Sequence, residues 1–208
     1  MDWHDALKIS GGVLALLMYV PLITGTIRDK GAGQSFAMWA LWAVLDTTVT
    51  ISLMVQRGNY WLTFGLAVGS VALALLLLLK GRFAWSWFET AILVLVLVCL
   101  AVWKFSGPKW ATIATTVAIV IAGLPGMVEL WRNPQPVLGR IWLGYTVANL
   151  LALWGGASWT IEERFAPGVF AVQTVAFVAI ACRRKPPGQA GSVPGAESHE
   201  CVTKKSLH

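Results

Sequence analysis

The sequence predicts an all-α polytopic membrane protein with seven transmembrane helices, arranged as two parallel three-helix repeats about a linker helix (3+1+3). Three observations carry that expectation. Apolar runs long enough to cross a bilayer follow one another along the chain. Charges gather in the short segments between them. The second half of the chain repeats features of the first at a nearly constant offset. Hydrophobic residues make up 57% of the 208 positions and charged ones 12%, about half the charged share of a soluble domain. Mean hydropathy is +0.67. A soluble domain of this size has no interior large enough for so much apolar surface, so lipid is the expected solvent.

A helix needs about 20 apolar residues to span the hydrocarbon core. Seven stretches meet that length: Ile9–Ile27, Phe36–Val55, Tyr60–Leu79, Phe83–Trp103, Trp110–Trp131, Ile141–Ile161 and Phe165–Cys182. They are continuous rather than alternating, which excludes a barrel of strands. The connections are RDKGAGQS, QRGN, KGR, KFSGPK, RNPQPVLGR and EER. The acidic start, MDWHDALK, is followed by no small-residue cleavage site, so the first span is expected to be retained. The corresponding division is 1–82 for the first repeat, 83–108 for the linker helix, 109–185 for the second repeat and 186–208 for a disordered tail. That tail is rich in Pro, Gly, Ser and charge.

Counting Lys and Arg on the two sides gives 11 on the side of Arg28, Lys80 and Arg132 against 5 on the side of Lys8, Arg57 and Lys109. The positive-inside rule then puts the N-terminus outside and the C-terminus in the cytoplasm, as an odd number of crossings requires. The expected location is a bacterial cytoplasmic membrane. A net charge of +6 is accounted for by loop cations facing anionic lipid, and no basic stripe with interleaved aromatics points to nucleic acid. Cys99, Cys182 and Cys201 have no metal-ligand spacing, and His4, His199 and His208 all lie outside the spans. No metal, cofactor or hydrolytic chemistry is therefore expected. The last span lacks the Lys that a retinal Schiff base would need. Of the 12 tryptophans, Trp61, Trp85, Trp103, Trp110, Trp131 and Trp159 fall near span ends, as an interfacial belt does. Glu89 and Glu129 also lie near span ends and are read as solvated or, for Glu129, paired with Arg132.

The internal repeat is specific. Pro21 and Pro125 differ by 104, as do Arg28 and Arg132. After a one-residue gap the offset is 103: Trp39 meets Trp142, Trp42 meets Tyr145, Asp46 meets Asn149, Gly65 meets Gly168, Ser70 meets Gln173 and Lys80 meets Arg183. Three crossings plus one linker crossing return the chain to the same orientation, so the repeats are parallel, about an axis along the membrane normal.

This layout resembles the SWEET sugar transporters and the wider PQ-loop superfamily. The resemblance rests on the 3+1+3 order and on two matched segments, VPLITGTIRDKGAGQSFAMWALW and LPGMVELWRNPQPVLGRIWLGY. Each has a proline near the basic end of one helix, then a basic loop, then an aromatic-rich helix. Pro21 and Pro125 are followed by Leu22 and Gly126 rather than Gln. The resemblance implies alternating-access transport of a sugar, with a pocket at the midplane near Ser70 and Gln173.

The residues make a parallel suggestion. Trp39, Trp42 and Asp46 are spaced i, i+3, i+7, as are Trp142, Tyr145 and Asn149, so each trio shares a helical face. Asp46 lies ten residues past Phe36, roughly 15 Å into the bilayer. A charge there costs about 2.5–3.5 kcal/mol and faces a cavity or a partner. Asp46 is the candidate proton-coupling or substrate-binding acid and Asn149 its uncharged counterpart. The alternative for both is an interhelical hydrogen bond that glues the repeats together. The four aromatics offer a stacking surface for a flat or ring-shaped solute, or else simply pack the helices. Pro21 and Pro125 are candidate hinges, with static kinks as the other reading. The expected activity is non-enzymatic transport of a small polar solute, either a sugar by facilitated diffusion or a solute moved with a proton through Asp46. A seven-helix receptor or sorting protein and a structural membrane subunit are the alternatives, and a homo-oligomer is compatible with each.

Overall fold

A computed structural model describes residues 2–28, 36–81 and 87–183. The predicted tail at 186–208, Trp85 and Cys201 lie outside the described residues. Among those described, the chain is helical without strands, and seven helices are long and apolar enough to cross a membrane. The chain is an integral membrane protein. The first span consists of α1 (Trp3–Leu17) and α2 (Tyr19–Ile27); α3 (Phe36–Val55), α4 (Trp61–Leu79), α5 (Trp87–Ser106), α6 (Pro108–Arg132), α7 (Pro136–Gly155) and α8 (Ala166–Ala181) are the other six.

Burial is inverted relative to a soluble protein. Long aliphatic side chains such as Val44, Ile51, Leu75, Leu97, Ile121 and Val172 point outward, where lipid is their solvent. Polar residues turn inward: Thr48, Thr50, Ser52, Thr63, Thr112, Thr115, Thr116 and Thr146 are buried. Most of these threonine hydroxyls donate to the carbonyl one turn back, so they enter the low-dielectric interior already satisfied.

The strong helix contacts form a closed ring: α1 with α4, α4 with α3, α3 with α6, α6 with α8, α8 with α7, and α7 back to α1. Exchanging the first three spans for the last three leaves that ring unchanged. In each half the third span packs between the other two, and α5 lies outside the ring against α6 and α3. Small residues permit the approach. A methyl group on Gly65 would meet the Gly12 carbonyl oxygen at 2.2 Å, and one on Gly12 would meet the Trp61 carbonyl oxygen at 2.3 Å. At the junction of the halves, Gly11 faces Ala148 and Ala152 in the same manner.

Several boundaries differ from the sequence reading. Span six starts at Pro136 and ends at Gly155 rather than running over Ile141–Ile161. Pro136 has no N–H to leave unpaired in a first turn, so the helix takes up most of the expected RNPQPVLGR loop and the link is reduced to 133–135. Trp142 and Tyr145 consequently lie in the second and third turns of α7, deeper than expected. The segment Ile161–Phe165 forms a single wide turn leading into α8. Between α5 and α6, Gly107 alone reverses the chain at φ +86°, a conformation natural to glycine, and Pro108 opens the next helix. The two prolines also behave differently. The first span breaks at Met18, close to Leu17, whose carbonyl Pro21 leaves without its helical N–H partner. Around Pro125, α6 is continuous.

Candidate functional site

Asp46 lies half-way along α3 and Ser70 half-way along α4, so the third span brings its hydroxyl to the acid. Ser70 Oγ donates to Asp46 Oδ2 at 3.1 Å, and Asp46 is 3% exposed. In the second half, Asn149 projects from α7 and Gln173 from the middle of α8. Asn149 Nδ2 donates to the Tyr145 carbonyl one turn back at 2.7 Å, which leaves its own Oδ1 buried without a partner.

These groups converge on a cavity of about 170 Å³. It is lined by Asp46, Asn149, Trp39, Trp42, Trp142, Tyr145 and Gln173, together with Tyr19, Leu22, Met38, Leu66, Ile119, Leu138, Ile141, Phe170 and Thr174. Its volume is close to the roughly 150 Å³ of an engineered cavity that admits a benzene ring. Seven of the eight residues expected in a binding site line it, and Ser70 supports Asp46 from behind. Neither Pro21 nor Pro125 lines it.

The rings are in contact from one half to the other. Trp42 meets Trp39 at 5.3 Å between centroids, Trp39 meets Tyr19 at 5.9 Å, Tyr19 meets Tyr145 at 5.7 Å, Tyr145 meets Trp142 at 5.6 Å, and Trp142 stacks on Phe177 at 3.9 Å. Tyr19 is the residue that sequence reasoning missed. It joins the aromatic pair of one repeat to that of the other, and it faces Asp46, Ser70 and Tyr145. The repeat offset of 104 carried a signal for it, because the counterpart of Tyr19 is Gly123. Bulk is exchanged between the halves. Tyr19 lies across Gly69, beside Ser70, whereas in the second half the long side chain is Gln173, which lies across Gly123.

Three polar atoms of the cavity-lining residues are buried with no hydrogen-bond partner: Trp39 Nε1, Trp42 Nε1 and Asn149 Oδ1. Buried polar groups are nearly always paired, and an unpaired one costs about 1–3 kcal/mol.

The two sides of the membrane differ. Met38 and Leu138 bring the cavity to the first turns of α3 and α7, on the side of Arg28 and Arg132. Toward the N-terminal side the ring is packed shut around Val49, Leu53, Ala148 and Ala152. Gln56 Nε2 donates to Thr112 Oγ1 at 2.9 Å there, and Asn59 Nδ2 donates to the carbonyls of Ala152 and Glu163 at 2.7 and 3.3 Å. Lys8 and Glu163 form an ion pair at 2.8 Å. Arg164 donates to the Gly156 carbonyl at 2.7 Å and lies over the Trp159 ring. At the other end, Glu129 accepts a hydrogen bond from Asn133 at 2.7 Å. Its bonded partner there is Asn133, where the sequence suggested Arg132.

Comparison with family models, curated proteins and solved structures finds no match to this chain.

Proposed function

We propose that the protein is an alternating-access transporter of a small polar solute, and that the cavity between its two halves is the solute site. The observation that carries this reading is the convergence of repeat-related residues, Asp46 with Asn149 and Trp39 and Trp42 with Trp142 and Tyr145, on one cavity half-way along the spans. Helices held only for packing gain nothing from an acid and two amides gathered around a void. The ring of contacts supports the same reading, since two equivalent halves can rock against each other about a site on their shared axis. In these terms the described residues pack closely on the N-terminal side, and the cavity extends toward the basic side. The resemblance to SWEET and PQ-loop proteins supports the same class of activity and favours a sugar as the solute.

The test is uptake of labelled sugars, amino acids, organic acids and amines into proteoliposomes, with and without a proton gradient. Flux of one class that collapses in Trp39→Ala and Asn149→Ala supports the proposal. Absence of flux from folded protein across the whole panel sinks it in favour of a receptor or a structural subunit.

A further inference from the structure

We propose that the solute is a small organic monocation, an amine or quaternary ammonium, and that it exchanges for a proton on Asp46. This rests on the reading of the cavity as the solute site and narrows its chemistry.

The charge balance of the cavity leads to it. Among the described residues, Asp46 is the one acidic residue in the lining, and no Lys, Arg or His lines it. The groups that face the acid are Tyr19 from α2, Ser70 from α4 and Tyr145 from α7, all uncharged as alcohols or phenols. A single serine hydroxyl is its hydrogen-bond donor. A buried carboxylate with so little support calls for a counter-charge, and the described residues that line the cavity supply none. The surroundings suit a cation. Six aromatic rings line the same cavity, and those of Tyr19, Trp39, Trp42, Trp142 and Tyr145 form a chain of contacts. Ring faces attract an ammonium group, most strongly where water is excluded. A sugar fits less well. Each of its hydroxyls needs partners, and much of the remaining wall is aliphatic, which would strand some of them.

The same geometry makes transport an exchange. One carboxylate can hold a proton or an ammonium group, not both. When the cation arrives, the proton leaves Asp46 for the solution on the open side, and the site stays neutral. The site with neither bound carries a bare charge, which is costly to close away from water. The halves therefore change places when proton or cation is aboard, and the cycle is electroneutral, one cation for one proton.

The test uses tetramethylammonium, choline and propylammonium as probes, with 3,3-dimethyl-1-butanol as the uncharged isostere of choline. Binding to purified protein is read by tryptophan fluorescence. At least one cation is expected to bind, tighter at pH 8 than at pH 5.5. The isostere is expected to bind roughly tenfold or more weaker than choline. In Asp46→Asn, the preference for choline over the isostere is expected to shrink several-fold and to lose its pH dependence. Trp42→Phe keeps the cavity filled but weakens the ring face, so choline affinity falls several-fold while the isostere is little affected; this variant decides the matter if Asp46→Asn does not fold. Failure of all three cations to bind, or equal binding of choline and its isostere to the native protein, overturns the inference. In proteoliposomes, cation uptake driven by an acidic interior and unchanged by a potassium–valinomycin potential supports exchange. Uptake that follows the potential and ignores pH overturns it. Sugar flux without cation binding would sink the cation and leave the transporter standing, whereas cation binding without any flux would sink the transporter and leave the site.

Discussion

Gly69→Ala tests whether Tyr19 bridges the aromatic pairs of the two halves. A methyl group at position 69 would lie 2.1 Å from Tyr19 Cδ2 and 2.4 Å from both Cγ and Cε2. Carbon atoms in contact stand about 3.5–4.0 Å apart, so the ring must retreat by about 1.5 Å or α4 must move away from the first span. Tyr19 is 3% exposed and is held edge-on between Trp39 and Tyr145, so the ring can yield only toward the cavity that it lines. Overpacking of this kind costs about 1–3 kcal/mol. Truncation of a large buried aromatic, as in Tyr19→Ala, costs about 3–5 kcal/mol by analogy with Phe→Ala. In the double variant the new methyl group occupies space that the ring has vacated, so its cost should not exceed that of Tyr19→Ala alone. The assay is reversible unfolding in mixed micelles, read as a double-mutant cycle. If the two changes add, or if Gly69→Ala leaves stability unaltered, Tyr19 does not lie where this packing puts it and the account of the junction is wrong.

Three further outcomes are expected. Gly123→Ala places its methyl group 2.4 Å from Gln173 Nε2, the far end of a flexible chain, so stability should change by less than about 1 kcal/mol while solute affinity shifts measurably. Removing Lys8 by substitution with Met leaves Glu163, 13% exposed in its side chain, without its cation. A cysteine placed at the buried Ser52, in a background lacking the native cysteines, should then react faster with an impermeant maleimide from the N-terminal side; an unchanged rate would exclude this pair from the seal. Val172, 73% exposed and midway along α8, faces lipid in this fold, so Val172→Lys should cost about 2.5–3.5 kcal/mol in an insertion assay. Ready insertion would mean that this face of α8 is covered.

The apolar runs and the repeat were legible because membrane spans and duplicated halves leave marks at fixed spacing. The pairs Trp39 and Trp142, Trp42 and Tyr145, and Asp46 and Asn149 could be read directly, since residues on one helical face recur at three- and four-residue steps whatever the helix packs against. Ser70 and Gln173 followed from the same offset. Helix ends were less legible: hydropathy alone started span six at Ile141, whereas backbone chemistry starts it at Pro136. The unequal behaviour around Pro21 and Pro125 was also invisible, because a proline reports a missing N–H and not what the surrounding helix does with it.

By itself the sequence determined the solvent of the fold, the number of crossings and the polar pair at mid-membrane, because these depend on composition and on local spacing. Only the tertiary structure decided that the third span of each half packs between the other two, that Tyr19 bridges the two aromatic pairs, and that the N-terminal side is closed while the cavity reaches the basic side. Those features arise from contacts between distant segments, such as Gly12 with Gly65 and Asn59 with Ala152. A glycine that admits another helix reads, in one dimension, the same as a glycine that faces nothing.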